Sequence, residues 1–587
     1  MILKVIFSLF ATLGVVFSYE LASDAATPLS NTFISTIIFL LYLLLFSKIG
    51  KITRKEKVFS GILSFILALI IIIGSQLEKS GEIIWSALTI FKLICASFSC
   101  VPILLNGLTL LKKYQLPETI SKKDIKHIKL ITFLIIFGFG LLVFLALYPG
   151  VYGYDAGYQI LEFIDGKSPI TTHFSIPFSF VLSHIVQLGN TLFGSYNVGL
   201  GMFCFLQMTF MSYVATSVSL FVRKITKNRT LFILSTCFFC VFPFFTVMSI
   251  STAQDTVFAG FFALLFIKLY SSVFDNKYWS HKSNIIITSL LILALCLARN
   301  NGLYIMIVAT PLIIIITNKN RRMLTAATLI LPLIIYLCYN ITLPWVLSVQ
   351  KGDSIREMSS IPTQQIARAL VRHHDSMSED LVKEINYYYD TKNFISYYEL
   401  NPSISDAMKA VIKSNNVKNN PAGYLWLWIR LGVSYPEDYL EAFAMNTLGF
   451  WYPNKNYPDS RMYHPLLEYD MLDLNEKTAF LDLRRESKIP IYENFLQLVV
   501  GRNAWKRVPI ISTLFTMGFY FIVFVVLLAL TIFYKNWRYL IPLSIIIGLY
   551  ITLFLSPVAL LRYCFPIIVL FPAIISLGLR APHAKNL

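Results

Sequence analysis

Uncharged apolar runs of about 18 to 25 residues recur along the chain, each broken by a polar loop. Wound as a helix, a run of that length matches the hydrocarbon thickness of a bilayer. Within lipid the backbone must satisfy its own hydrogen bonds, which a helix does. The pattern therefore predicts an all-α polytopic membrane protein.

Loop charge orients the helices. KIGKITRKEK (Lys48 to Lys57) and KKYQLPETISKKDIKHIK (Lys112 to Lys129) are basic and are assigned to the cytoplasm, where basic loops gather. ELASDAATPLSN and QLEKSGEII are acidic or weakly charged and face out. Alternation then carries the helix at about 127–148 to the outer face, where YPGVYGYDAGYQILEFIDG (Tyr148 to Gly166) begins. If the next run, HFSIPFSFVLSHIVQLGN (His173 to Asn190), spanned the membrane, the basic RKITKNR (Arg223 to Arg229) would fall outside. That run carries His173, Pro177, Ser183, His184 and Gln187, so it reads as a helix lying in the outer interface. NKNRR, KNWR and the C-terminal RAPHAKNL then all fall inside. The count becomes about 14 transmembrane helices with both termini cytoplasmic. The first 19 residues would also suit a signal peptide, but further spans follow directly and an uncleaved first helix is expected.

This orientation divides the chain into four parts. Residues 1–126 form a four-helix membrane segment, and 127–346 a membrane core that includes an external loop at 149–195. Residues 347–507 form an external, mainly α-helical domain, and 508–587 three C-terminal helices. In the external part, helix-like stretches such as IPTQQIARALVRHH alternate with turns such as YPNKNYPDS.

Composition narrows the function. A net charge of +18 taken alone suggests nucleic acid, but the basic residues sit in short loops as membrane orientation requires, so no nucleic-acid partner is expected. All eight cysteines fall in apolar runs, which argues against a disulfide framework or a zinc site. The abundance of Ile, Lys, Asn and Tyr fits an AT-rich bacterial genome and hence a bacterial plasma membrane.

Four ionisable residues lie at outer helix ends: Asp155, Asp255 in STAQDT, Arg299 in ARNNG and Arg562 in SPVALLR. Charges at such depths are costly and usually have a partner or a function. Arginine binds phosphate oxygens through a planar fork, and a carboxylate can take a proton from a hydroxyl or hold a divalent metal. No ligand cluster demands a metal, so none is assigned, although the two acids leave room for a divalent ion. Simpler roles exist for each residue. Asp155 and Asp255 suit helix caps before Ala156 and Thr256, and the arginines suit snorkelling anchors. Glu162 and Asp165 rank below Asp155 because EFIDGKSP reads as a solvated loop end.

The order of an apolar helix, YPGVYGYDAGYQ, an interfacial THFSIPFSFVL helix and GNTLFGSYNVGLGMFCFLQ entering a span resembles the first external loop of the GT-C superfamily of membrane glycosyltransferases. STAQDTVFAGF, LARNNGLY, SIPTQQIARAL, NTLGFWYP and LLRYCFPIIVLFP are similar to elements of bacterial branches of that superfamily, so the resemblance covers roughly residues 127–580. It implies a GT-C-like fold and transfer of a sugar from a polyprenyl phosphate or diphosphate donor. The acceptor would be an extracytoplasmic glycan, lipid or protein, reached from an active site facing outward. By the same resemblance Asp155 is the catalytic acid, as general base or metal ligand, and Asp255 matches the acid of a second external loop. Arg299 and Arg562 would bind the lipid phosphate, with Arg368, Tyr154, His173 and Asn300 as further substrate- or phosphate-binding candidates. Two other readings stay open: a transporter or flippase of a lipid-linked or polar substrate, and a polysaccharide polymerase or ligase.

Overall fold

The computed structural model describes the 587-residue chain except residues 1, 23–31, 115–124, 154, 276, 351–353, 401, 456–477, 502–503, 505–507, 509–510 and 583–587. Helices run almost throughout. The first fourteen are α1 (Ile2–Ala22), α2 (Thr32–Ser47), α3 (Arg54–Ser80), α4 (Ala87–Lys113), α5 (Ile125–Ala146), α6 (Ala156–Ile164), α7 (Ile176–Phe193), α8 (Tyr196–Thr226), α9 (Arg229–Val241), α10 (Pro243–Met248), α11 (Gln254–Phe274), α12 (Lys282–Ala298), α13 (Asn301–Ile316) and α14 (Arg322–Leu347). The rest are α15 (Ser354–Met358), α16 (Ser360–His373), α17 (Glu379–Tyr388), α18 (Thr391–Leu400), α19 (Ser405–Met408), α20 (Ser414–Asn419), α21 (Pro421–Ser434), α22 (Pro436–Trp451), α23 (Pro490–Leu496), α24 (Met517–Phe533), α25 (Leu540–Phe554) and α26 (Phe565–Arg580). The described residues contain no strand, only three isolated bridges.

By length and composition, nine helices among the described residues can cross a membrane, and six shorter apolar ones accompany them. This is an all-α membrane protein. Helix ends that would otherwise leave amides unpaired are closed locally. Thr53 and Glu56 form a reciprocal capping box at α3, with Thr53 N–H donating to Glu56 Oε2 at 2.9 Å. Ser86, Ser175, Ser195 and Asn228 cap α4, α7, α8 and α9.

The main core joins α8, α11, α13, α25 and α26, where Phe262, Phe266, Ile305, Ile546 and Phe565 are fully buried. A second cluster joins α5, α6, α7 and α8 through Val143, Ile160, Leu182 and Leu200. Where α7 crosses α8, Gly189 and Gly199 lie so close that a Cβ on either would collide with the opposing backbone, so the two helices meet without side chains between them.

The 347–507 segment contributes to four hydrophobic clusters, among them the main core, which Phe450 of α22 enters. Ile366, Leu370, Tyr389, Phe394 and Leu427 form a core of their own among the helices of this segment. Met445, Leu448 and Tyr452, along and just past α22, pack instead on Leu77 of α3. Leu481, Leu483, Leu496 and Val500 complete the cluster around α5 and α6. The segment is also fastened to the loop that follows α25: Ser405 N–H donates to Pro557 O at 2.9 Å, and Asn446 Nδ2 to Ser556 O at 2.9 Å.

Candidate functional site

The site is built by two loops that pair. Val151 N–H donates to Ile250 O and Thr252 N–H to Val151 O, both at 2.9 Å, while Gly153 N–H reaches Thr252 Oγ1 at 2.5 Å. The approach depends on Gly150, whose φ of 139° suits glycine and whose missing side chain leaves room for Cys204 and the Ile250 carbonyl. Gln207 of α8 fixes the second loop from behind, donating to Ser249 O (3.2 Å) and Ser251 O (2.6 Å). Shortly beyond the paired stretches each loop turns into a helix. The N-termini of α6 and α11 are thereby set side by side, with Asp155 at one and Asp255 at the other.

Neither carboxylate serves as a helix cap. Asp155 occupies the N-cap position of α6 but makes no side-chain capping hydrogen bond, and Asp255 lies inside the first turn of α11, past the cap residue Ala253. Both sit where the helix dipole favours an anion.

Two arginines answer them. Arg299, at the C-terminal end of α12, donates through Nη1 to Asp255 Oδ1 in a closely closed ion pair. Arg562, in the turn Leu561–Cys564 before α26, stands between the acids. Its Nη1 is 3.8 Å from Asp155 Oδ2 and its Nε 3.9 Å from Asp255 Oδ2. The Tyr563 ring faces both guanidiniums, with centroid distances of 4.5 Å to Arg299 and 5.4 Å to Arg562. Exposure divides the cluster. The Asp255 side chain is 5% exposed and Arg299 17%, whereas Arg562 is 26% and Asp155 34% exposed. A tight, buried pair thus backs a loose, half-exposed one.

The loose pair opens on a cleft holding about 220 Å³ of non-protein space, partly open to solvent. Gly153, Gln159, Thr252 and Gln254 line it along with Asp155, Asp255 and Arg562. Gln254 also ties in α7: its Oε1 accepts from Ser175 N–H at 3.4 Å, and Ser175 Oγ donates to Leu297 O at 2.5 Å. Among the described residues no three His, Cys, Asp or Glu side chains converge to hold a metal. Here each of the two carboxylates faces a guanidinium, so this donor set does not fit a resident divalent ion.

The remaining candidates lie elsewhere. Asn300 Oδ1 accepts from Tyr336 Oη at 2.8 Å and ties α13 to α14. His173 is exposed, its ring edge-on to Phe174 at 4.7 Å, and does not line the cleft. Tyr154 lies outside the described residues. Arg368 of α16 is 4% exposed, and donates to Tyr398 Oη (3.2 Å), Gly81 O (2.5 Å) and Glu441 Oε2 (2.5 Å). Glu441 also accepts from Arg372 (2.8 Å) and from Ile83 N–H (2.6 Å), and Arg372 pairs with Glu82. This network fastens α16 and α22 to the α3–α4 loop, which makes Arg368 a structural residue away from the cleft.

The two lower-ranked acids separate from one another. Asp165 behaves as a loop end. Burial raises its pKa, but donors from Ser168 and Lys167 outweigh that and hold it below the ordinary value. Glu162 is 7% exposed and not solvated, contrary to the sequence expectation, because the 166–175 loop folds back over it. Its Oε1 accepts from Thr171 N–H (3.1 Å) and Oγ1 (2.7 Å), while burial pushes its pKa up. Gln159, Thr252, Gln254 and Tyr563 were not singled out from sequence. The signals were present: Gln159 is one helical turn from Asp155, and the other three fall inside motifs that carry the charged residues.

The apolar helices and the acid–arginine cluster at their loop ends define an all-α membrane protein with a cleft lined by acids and arginine. The chain belongs to the family described as "Family of unknown function (DUF6020)", which it matches over residues 165–586. Asp255, Arg299 and Arg562 lie within that match and Asp155 just before it. No curated protein and no solved structure matches the chain.

Proposed function

We propose that this protein is a membrane glycosyltransferase of GT-C type, which moves a sugar from a polyprenyl-phosphate-linked donor to an extracytoplasmic acceptor. The observation that carries this reading is the convergence of Asp155 and Arg562 on one cleft, 3.8 Å apart, backed by the buried Asp255–Arg299 pair. A half-exposed carboxylate beside a forked cation is what hydroxyl deprotonation and phosphate departure require together.

In the reaction, Arg562 holds the donor phosphate, and Arg299, stacked on Tyr563, keeps Asp255 and so Arg562 in place. Asp155 takes the proton from the acceptor hydroxyl. The hydroxyl oxygen bonds to the anomeric carbon as the bond from that carbon to the phosphate oxygen breaks, and the electron pair leaves on the lipid phosphate. Attack opposite the leaving group inverts the anomeric centre.

The orientation follows the same cluster. The nine long and six shorter apolar helices number about 14 spans once α7, the least apolar of the nine, is set apart. Gln207 meets the cluster loop about three turns into α8, so the start of α8 rises about 17 Å past the cluster. α7 starts at the cluster, where Ser175 meets Gln254 and Leu297, and crosses near the start of α8 at Gly189. Both ends of α7 thus lie on the side of the external loop, which favours a helix in the outer interface.

The test is to profile wall and membrane glycans of a deletion strain complemented with wild type or with Asp155→Asn. Loss of one glycan, restored by wild type and not by the variant, is expected. Unchanged glycans in the deletion strain, or lipid flipping by the purified Asp155→Asn variant, would refute the assignment.

A further inference from the structure

One helix of the 347–507 segment is apolar on both sides. Successive residues of a helix turn by about 100°. In α21, Tyr424, Leu427 and Leu431 therefore share one side, which is buried in the core of the segment. Leu425, Trp426, Ile429 and Val433 fall in a stripe about 100° wide on the opposite side. All four are exposed, from 42% at Ile429 to 77% at Val433. No charged residue lies inside the stripe; Arg430 flanks it and pairs with Glu384. A helix whose outer side faces water is polar there, so an uncharged apolar stripe of this length marks a surface that something covers.

What covers it follows from where α21 is held. Its inner side is fixed to α16 and α22: Trp428 Nε1 donates to Gln365 Oε1 at 2.8 Å, and Tyr439 Oη to Trp428 O at 2.9 Å. α22 follows directly, and its Glu441 accepts from Ile83 N–H, just past the end of α3. From there α22 runs among helices that can cross a membrane. Met445 and Leu448 pack on Leu77 of α3, the Tyr452 ring lies over Gly74, and Phe450 enters the main core. α21 thus ends where its neighbour goes in among the membrane helices. Further exposed apolar side chains mark the same level: Leu440, next to Glu441, and Ile84 and Trp85, next to Ile83. Tryptophan gathers at membrane–water interfaces, and both Trp85 and Trp426 are exposed. We infer that α21 lies in the membrane interface with its outer stripe sunk into lipid on the side of the α3–α4 loop. The 347–507 segment then rests on the bilayer instead of standing clear of it.

Spin labels test this in the full-length protein. In a background without Cys100, Cys237 and Cys338, the variants Leu425→Cys, Ile429→Cys and Val433→Cys are labelled one at a time, with Asp380→Cys on the exposed α17 for reference. Each is placed in nanodiscs of phosphatidylcholine and phosphatidylglycerol, one chain per disc. Collision of the label with oxygen, which concentrates in lipid, is compared with collision with a water-soluble nickel chelate. Oxygen is expected to dominate at the three stripe positions and nickel at 380. Nickel dominating along the stripe would mean that it faces water, and overturns the inference. Shielding of the stripe labels from both reagents would mean that protein covers α21, and overturns it as well. A stripe open to nickel in single-chain discs but shielded in vesicles holding many chains would assign the surface to a second copy, again against lipid. None of these results bears on the function proposed above.

Discussion

Asp155→Asn and Asp255→Asn are the same chemical change made at two ends of one chain of ion pairs, and the structure assigns them opposite consequences. Asp255 is buried against Arg299, whose guanidinium has little access to water. Neutralising Asp255 leaves that cation without its counter-charge, a change that costs about 3–5 kcal/mol when a buried pair is broken. Asn retains an oxygen that can accept from Arg299, so the lower end, about 3 kcal/mol, is expected. Asp155 is a third exposed, caps nothing, and stands 3.8 Å from Arg562. Exposed pairs contribute about 0–1 kcal/mol, so its loss should barely move the unfolding temperature. Catalysis should respond the other way, with Asp155→Asn losing about 10²–10⁴-fold in transfer rate as a missing general base does. The assay is thermal unfolding of both purified variants in one detergent, followed by transfer measured on whatever remains folded. If Asp155→Asn unfolds early while Asp255→Asn matches wild type, the division into a structural and a working pair is wrong. If Asp155→Asn is stable and transfers at the wild-type rate, Asp155 is not the base.

Three further outcomes are expected. Burial raises the Glu162 pKa, so this group stabilises the fold fully below its unfolded value, near 4.5, and that stabilisation is lost as pH rises through the folded value; Glu162→Gln should therefore gain stability over wild type toward neutral pH and lose the advantage in acid, read from unfolding temperatures across pH. Glu441→Gln removes the carboxylate that Arg368 and Arg372 share and weakens the tie of α22 to Ile83 in the α3–α4 loop, and should cost about 3 kcal/mol. Faster proteolysis within 354–451 would register that loss, while donor affinity should stay unchanged. In a background without the exposed Cys237 and Cys338, Thr191→Cys should react with an impermeant thiol reagent on intact cells and Arg229→Cys only after permeabilisation; the reverse pattern would mean that α7 spans.

The helical, membrane-embedded character was legible because it rests on composition repeated over long windows, which no single contact can reverse. The four charged residues at loop ends were legible for a related reason: in an apolar chain a charge is conspicuous. Which charge meets which was not. Arg368 looked like a phosphate ligand in its own helix, and only the fold brings it to Glu441 and to the Gly81 carbonyl. Glu162 looked solvated because its neighbours are polar, yet the loop that follows covers it. The tight closure of Arg299 on Asp255, and the placing of the Tyr563 ring against both arginines, likewise depend on elements far apart in sequence. Local periodicity carries no information about such partners.

The unequal tightness of the two pairs is itself an argument about function. A half-exposed pair at 3.8 Å contributes little to stability, so tying loops together does not account for its place at the cleft. Here the fold spends its rigid contacts on Asp255, Arg299, Tyr563 and the loop pairing at Val151 and Thr252. It leaves Asp155 and Arg562 facing the cleft at a separation that a substrate group can change. Holding charges where a reaction needs them, without letting them collapse on each other, is what preorganised electrostatic catalysis requires. Substitutions in the supporting layer should therefore act by letting Arg562 close on Asp155. Tyr563→Leu, which removes the ring and no charge, should lower transfer without altering net charge in the cleft, while Tyr563→Phe, which keeps the ring, should restore it. Equal activity of both variants would mean that the ring does not hold Arg562 off Asp155.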